Sequence, residues 1–219
     1  MGYSIGVIAI KGNHLDNTDR LFSTFDYIDS GESKTYSTWT EAGKFLDDNY
    51  FEYANRDIAL RGIWVDNGWT IIYDPEMVDL LESEKIETIS KTINADIWTI
   101  LIQTTSGSFS FSKFAPDRQR HFFVVDGQIA ENEGAPLPEE KGLNINEKMF
   151  GDDLESLAKT LGFKIQPDTT GDYIVRYLNY NDQMKEQLAQ FKQTTREKQT
   201  AKKPTDDKST TEKPWWKVW

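Results

Sequence analysis

Two histidines are the only imidazole groups in the sequence, and neither stands in the ligand pattern of a metal site. His14 lies close to Asp16 and Asp19, a spacing that could form a small acid–base cluster. His121 stands near the start of an expected strand. A zinc site requires more nitrogen or sulfur ligands than two scattered histidines, and there is no cysteine and no His-x-x-x-His pair. We therefore predict no metal site, and we interpret both histidines as polar loop or surface residues.

Nucleophile and cofactor motifs are missing as well. The chain has no thiol, no Gly-x-Ser-x-Gly, no phosphate-binding Walker loop and no Gly-x-Gly-x-x-Gly. An enzyme that uses His14 with Asp16 or Asp19 stays open as an alternative, but no substrate class follows from it. The sequence thus predicts a protein that is not an enzyme and binds no cofactor.

Four glutamates, Glu131, Glu133, Glu139 and Glu140, surround a Gly-Ala-Pro-Leu-Pro turn. A catalytic carboxylate pair needs two different environments, one of which raises a pKa. Glutamates in an exposed loop lack the burial that would create this difference. They are typical of a solvated acidic rim, and the function that such a rim best supports is docking of a basic partner.

Aromatic residues suggest two further contact regions. Trp64 and Trp69 flank a hairpin turn, where they stabilise the hairpin, anchor an interface, or do both. The second region is a motif near the C-terminus that carries three tryptophans and interleaved lysines, a composition that favours a protein groove, the parent domain or a weak contact with a membrane surface. This tail motif consists of Trp215, Trp216, Lys217 and Trp219.

The net charge of −11 is unevenly distributed. Residues 192–219 contain eight basic and four acidic residues, which leaves this tail at +4 and the preceding 191 residues at −15. Such an acidic body repels nucleic acid, whose binding depends on neutralising phosphates. It suits a basic protein partner, although acidity also serves solubility alone.

The pattern of elements predicts an α+β fold, with a mainly antiparallel sheet built from hairpins and amphipathic helices packed on it. The two hairpin turns are Asn67-Gly68 and Asp126-Gly127. A helix from Asn17 towards Ile28, others from Thr38 and Asp74, and one ending at Gly162 are expected from caps and spacing. Strands are expected over residues 3–10, 58–65, 69–73, 97–103, 109–113, 121–125 and 128–131, and less clearly over 173–177.

Composition divides the chain into a single globular domain, residues 1–191, and a disordered tail, residues 192–219. The tail is rich in lysine and threonine with almost nothing apolar before its tryptophans. No run of 18 apolar residues exists, and the apolar N-terminus lacks a preceding basic region and a cleavage site. The expected location is the cytoplasm.

The segment from Gly68 to Gly162 resembles uncharacterised bacterial domains, some of which are similar to immunity proteins of polymorphic-toxin systems. The resemblance rests on Gly-Trp-Thr-Ile-Ile-Tyr-Asp-Pro and on Val-Asp-Gly-Gln-Ile-Ala-Glu-Asn-Glu-Gly-Ala-Pro-Leu-Pro-Glu-Glu. It implies a protein-binding role and no catalytic residue.

Together these features predict a non-enzymatic, protein-binding module of a bacterial cytoplasm. An immunity protein, an antidote that neutralises a basic toxin, is its most concrete form. The alternative is an accessory protein recruited to a membrane or scaffold through the tail motif.

Overall fold

The computed structural model describes residues 3–116, 118–168, 170–186 and 190. The chain divides into two units, Met1–Asn181 and Asp182–Trp219. In the second unit residues 182–186 and 190 are helical. The predicted disordered segment and the predicted docking motif, with Trp215, Trp216, Lys217 and Trp219, lie outside the described residues.

The first unit is built on one antiparallel sheet of nine strands, as the α+β prediction requires. Their order across the sheet is β2-β9-β3-β4-β1-β5-β6-β7-β8, so that β1 is central while β2 and β8 form the two edges. The strands are β1 Ser4–Lys11, β2 Tyr27–Thr38, β3 Ile58–Asp66, β4 Trp69–Tyr73, β5 Ile97–Gln103, β6 Ser108–Ala115, β7 Arg118–Val125, β8 Gln128–Glu133 and β9 Thr170–Tyr180.

Local turn chemistry sets the register of the hairpins. Asn67 and Gly68 both have positive φ, 45° and 76°, which is the conformation of a type I′ turn between β3 and β4. Asp126 and Gly127 do the same between β7 and β8 with φ of 49° and 69°. Both predicted hairpins are therefore confirmed.

Four α-helices pack on the two faces of the sheet, two on each face. They are α1 Thr18–Thr24, α2 Trp39–Ala54, α3 Ser83–Ile93 and α4 Gly151–Leu161. Helices α2 and α4 share one large apolar core with alternate residues of the strands, among them Val7 and Ala9 of β1. Side chains alternate along a strand, so Ile8 and Ile10 point to the other face, where α1 and α3 pack.

Two predicted helical segments are wrong. The helix expected to run from Asn17 towards Ile28 ends at Thr24, because Asp26 adopts a φ of 68° and turns the chain into β2. The segment after Asp74 is a turn with a short 3-10 helix at Asp79–Leu81, and α3 begins only at Ser83. The Asp74 carboxylate accepts the backbone N–H groups of Glu76 and Asp79, which competes with helix formation.

Candidate protein-binding face

A buried arginine holds the segment between β4 and α3 in place. Arg61 of β3 is completely inaccessible to solvent. Its Nε donates to Asp79 Oδ2 at 2.6 Å and its Nη1 donates to Glu76 Oε2 at 2.8 Å. Its Nη2 lies 3.4 Å from Asp74 Oδ1 and donates to the Tyr27 hydroxyl at 2.7 Å. One guanidinium thus binds three carboxylates of residues 74–82, which we call the anchored loop.

The anchored loop also carries a carboxyl group whose proton affinity is strongly perturbed. Burial raises the pKa of Asp74 to about 7, and the neighbouring Asp79 carboxylate acts in the same direction against the attraction of Arg61. Burial likewise raises the pKa of Tyr27. The group is sealed inside the fold, so we assign it to the structure of the loop rather than to chemistry on a substrate.

A glycine in the central strand lets the anchored loop approach the sheet closely. A Cβ added at Gly6 would lie 2.5 Å from Leu80 Cδ2 and 2.8 Å from the Asp74 carbonyl oxygen. Those distances are too short for any side chain, so the loop can pack on the sheet only above a glycine. The loop turns over Met77, whose φ of 56° is left-handed, and then presents Leu81 with 61% of its surface exposed.

Beyond the anchored loop, strands β5 to β8 enclose a polar cavity of about 230 Å³ on the α1/α3 face. Its floor consists of the hydroxyl-bearing residues Thr99, Ser110 and Ser112, which come from neighbouring strands in register. The anchored loop forms one wall through Leu80 and Leu81. Phe123, His121 and Glu131 also line the cavity. We call this cavity and its rim the open face.

One hydrogen bond and one ion-pair contact connect the floor of the open face to its rim. Ser112 Oγ lies 2.5 Å from His121 Nδ1, and His121 Nε2 lies 2.8 Å from Glu131 Oε2. The Glu131 carboxylate favours the His121 tautomer that carries hydrogen on Nε2. Nδ1 then accepts a hydrogen bond from the Ser112 hydroxyl. Serine, histidine and glutamate therefore stand in the order of a hydrolase relay.

The surroundings of this relay do not favour nucleophilic catalysis. Ser112 is in the middle of β6, which pairs with β5 on one side and with β7 on the other. Strand amides that serve the ladder cannot form an oxyanion hole, and an acyl-transfer site depends on such donors. The side chain of Ser112 is also buried beneath His121. The arrangement is better suited to orient Glu131 and to bind a polar group.

The edge strand beside the cavity is fully exposed. All six residues of β8 are accessible to solvent, and β8 pairs only with β7. Glu131 and Glu133 lie on it, and both also line a second cavity of about 310 Å³ on the far side of His121. An exposed edge strand with a groove beside it is a common surface for recognising extended protein segments.

The predicted acidic rim is divided between surface and interior. Glu131 and Glu133 are exposed as predicted, whereas Glu139 is half-buried and Glu140 is buried. Glu140 binds Arg120 Nε at 2.9 Å and accepts the backbone N–H of Leu137 at 2.8 Å. Glu140 is therefore a structural ion pair, which corrects its assignment as a contact residue.

The two hairpin tryptophans are also removed from the contact surface. Trp64 and Trp69 are buried in the core between the sheet, α2 and α4. Trp64 packs against Trp39, with ring centroids 4.7 Å apart, and Trp69 packs against Phe163 at 5.3 Å. Their burial favours the structural interpretation and corrects their assignment as interface anchors.

His14 does not form the acid–base cluster that remained open. Its Nε2 lies 2.9 Å from the carbonyl oxygen of Lys11, whereas Asp19 binds Arg176 at 2.6 Å. Within the described part of the chain, no group of three or more histidine or carboxylate side chains is arranged to hold a metal ion. Among the same residues, no helix has the length and apolarity needed to cross a membrane.

Sequence reasoning missed Thr99, Ser110 and Ser112, although one signal was visible. Serines 108, 110 and 112 alternate with phenylalanines, a period of two that places all three serines on one face of a strand.

Comparison of the chain with protein-family models, curated proteins and solved structures found no significant match.

Proposed function

We propose that the chain is a non-enzymatic module that binds a basic protein segment along the edge strand β8 and the open face. The observation that carries this proposal is the continuity of an exposed acidic edge strand with an uncovered cavity, both containing Glu131. An antidote of the immunity-protein type, acting in a bacterial cytoplasm on a basic toxin, remains the most concrete form of this function.

Charge supports a basic partner. The first 191 residues carry −15, which attracts cationic segments and accelerates their association. The cations nearest the open face are already neutralised: Arg120 binds Glu140, and Lys113 lies 3.3 Å from Asp96. Glu131 and Glu133 therefore dominate the local charge at the edge.

The opposite edge of the sheet is less suited to the same role. Strand β2 has two register shifts, between Asp29 and Ser33 and between Tyr36 and Thr38, whereas the pairing of β8 with β7 has one, between Phe123 and Val124. Regular pairing with an added strand is therefore interrupted more often along β2 than along β8. Glu32 is exposed on β2 and serves as an internal comparison for the glutamates of β8.

The proposal is tested by affinity capture from cells that express the chain naturally, with three baits compared. The wild type and the control Glu32→Lys/Glu147→Lys should recover the same basic protein. Glu131→Lys/Glu133→Lys should lose it, although the two double variants change the net charge of the wild type by the same amount and differ only in the place of the substitutions. Recovery of the same partner by all three baits would refute the edge-strand proposal.

Glu139 and Glu140 are left unchanged in these baits. A lysine at position 140 would face Arg120 inside the fold, and two buried like charges would destabilise the protein rather than probe its surface.

A further inference from the structure

Two hydroxyl groups at the floor of the open-face cavity have no hydrogen-bond partner in the described part of the chain. Thr99 is 2% exposed and Ser110 is 5% exposed, and both line the cavity. Within the described residues neither hydroxyl has a hydrogen-bond partner. Neither oxygen is among the unpaired side-chain atoms that are sealed from solvent, so both hydroxyls open into the cavity and can bond to a group that enters it.

The rim of the cavity adds a negative charge with a free acceptor. Glu131 uses Oε2 for His121, and its Oε1 has no partner among the residues described. His121 in turn is hydrogen-bonded to Ser112, so the imidazole that contacts this carboxylate is held in place. Preorganised acceptors cost a ligand less ordering than mobile ones.

Part of the wall is apolar, because Leu80 and Leu81 of the anchored loop and Phe123 of β7 line the cavity. A group that enters must therefore combine an apolar stem with a hydrogen-bond donor at its end. The side chain of lysine has this form, because its four methylene groups pack on apolar walls while its ammonium donates three hydrogen bonds.

We infer that this cavity binds a lysine side chain of the basic partner. Its ammonium donates to the Thr99 and Ser110 hydroxyl oxygens and to the Oε1 of Glu131, while Leu81 and Phe123 cover its stem. Arginine fits less well, because a planar guanidinium favours bidentate carboxylate partners rather than two hydroxyl groups and one oxygen. The inference deepens the proposed function and rests on it for the identity of the partner.

The test uses defined peptide probes and the full chain labelled with ¹⁵N. Acetyl-Gly-Lys-Gly-amide should produce saturable amide shifts at Thr99, Ser110 and Phe123. The matched peptide with norleucine, which keeps the methylene stem and lacks the ammonium, should produce none that saturate. Equal shifts from both peptides, or no saturable shift from the lysine peptide, would overturn the inference.

Two variants separate the cavity from the edge strand. Thr99→Val/Ser110→Ala removes the floor hydroxyls with little change in shape and leaves the charges of β8 intact. This variant should lower the affinity for the lysine peptide about tenfold, the loss expected when hydrogen bonds to a charged group are removed. Glu131→Gln should weaken it to a similar extent, and it serves as a second probe if the double variant fails to fold.

Failure of this inference is distinguishable from failure of the proposed function. If Thr99→Val/Ser110→Ala binds the lysine peptide as the wild type does, the lysine site is wrong. The proposed function is then still judged by whether Glu131→Lys/Glu133→Lys loses the captured partner. If Thr99→Val/Ser110→Ala loses the lysine peptide while Glu131→Lys/Glu133→Lys still captures the partner, the cavity binds lysine but neither the cavity nor the edge strand binds the partner.

Discussion

Arg61 is the residue on which the anchored loop depends, because its guanidinium is the cation that pairs with the buried carboxylates of Asp74 and Asp79. Burial lowers its pKa, but the attraction of these carboxylates is larger, and the guanidinium stays charged. An ion pair of this kind contributes little net stability when complete and is costly to break, since the partner charge then remains buried and alone.

Replacing Arg61 with methionine should therefore destabilise the protein strongly. We expect Arg61→Met to lower the free energy of unfolding by about 3–5 kcal/mol, measured by urea denaturation. The control Arg56→Met removes an exposed arginine that pairs with Glu52, and it should cost at most about 1 kcal/mol. Equal effects of the two variants would show that the buried network does not hold the loop.

Asp74 gives a prediction about pH. Its pKa of about 7 in the folded state lies above its usual value of 3.8, so the native protein binds a proton more tightly than the unfolded chain does. This group therefore contributes stability that is fully present below about pH 4 and is lost as the pH rises towards 7. Asp74→Asn should reduce this decline in denaturation experiments, whereas the exposed control Asp172→Asn should keep the wild-type slope. An unchanged slope in Asp74→Asn would contradict the assignment.

At the scale of elements, the position of the anchored loop over β1 requires a glycine at position 6. We expect Gly6→Ala to displace the loop and to cost about 1–3 kcal/mol, the usual penalty for overpacking a core. It should also lower the affinity for the lysine peptide, because Leu80 and Leu81 form a wall of the cavity.

The matched control is Gly171→Ala in β9. An added Cβ there meets only ordinary contacts at 3.7 Å and beyond, and the substitution should change stability by less than about 1 kcal/mol. A thermal denaturation series compares the two, and similar losses would argue against the close approach at Gly6.

What the sequence could predict at this scale depended on the range of the interactions. The turns at Asn67-Gly68 and Asp126-Gly127 are encoded in adjacent residues, so both hairpins and the α+β class were correct. Strand β2 was missed because its polar sequence becomes a strand only by pairing with β9, more than 130 residues away. The serines of β6 were visible as a polar stripe, but their meeting with Thr99 depends on the register between β5 and β6, which no local pattern contains.

At the scale of the molecule, the acidic first unit is expected to bind its partner without help from the tail motif. A version ending at Lys192 should retain the affinity of the full chain for the captured partner, measured by isothermal titration calorimetry. A specific loss of affinity on truncation would instead make the tail motif a docking segment. Flotation of both forms with anionic liposomes tests the membrane alternative, and equal behaviour would remove it.

Hydrogen–deuterium exchange of the chain with and without its captured partner tests most directly whether β8 and the open face are the binding surface. We expect slower exchange in Gln128–Glu133, in the neighbouring residues of β7 and in the anchored loop, with α2 and α4 unchanged. Protection confined to α2, α4 or the β2 edge, with β8 exchanging as in the free protein, would contradict it.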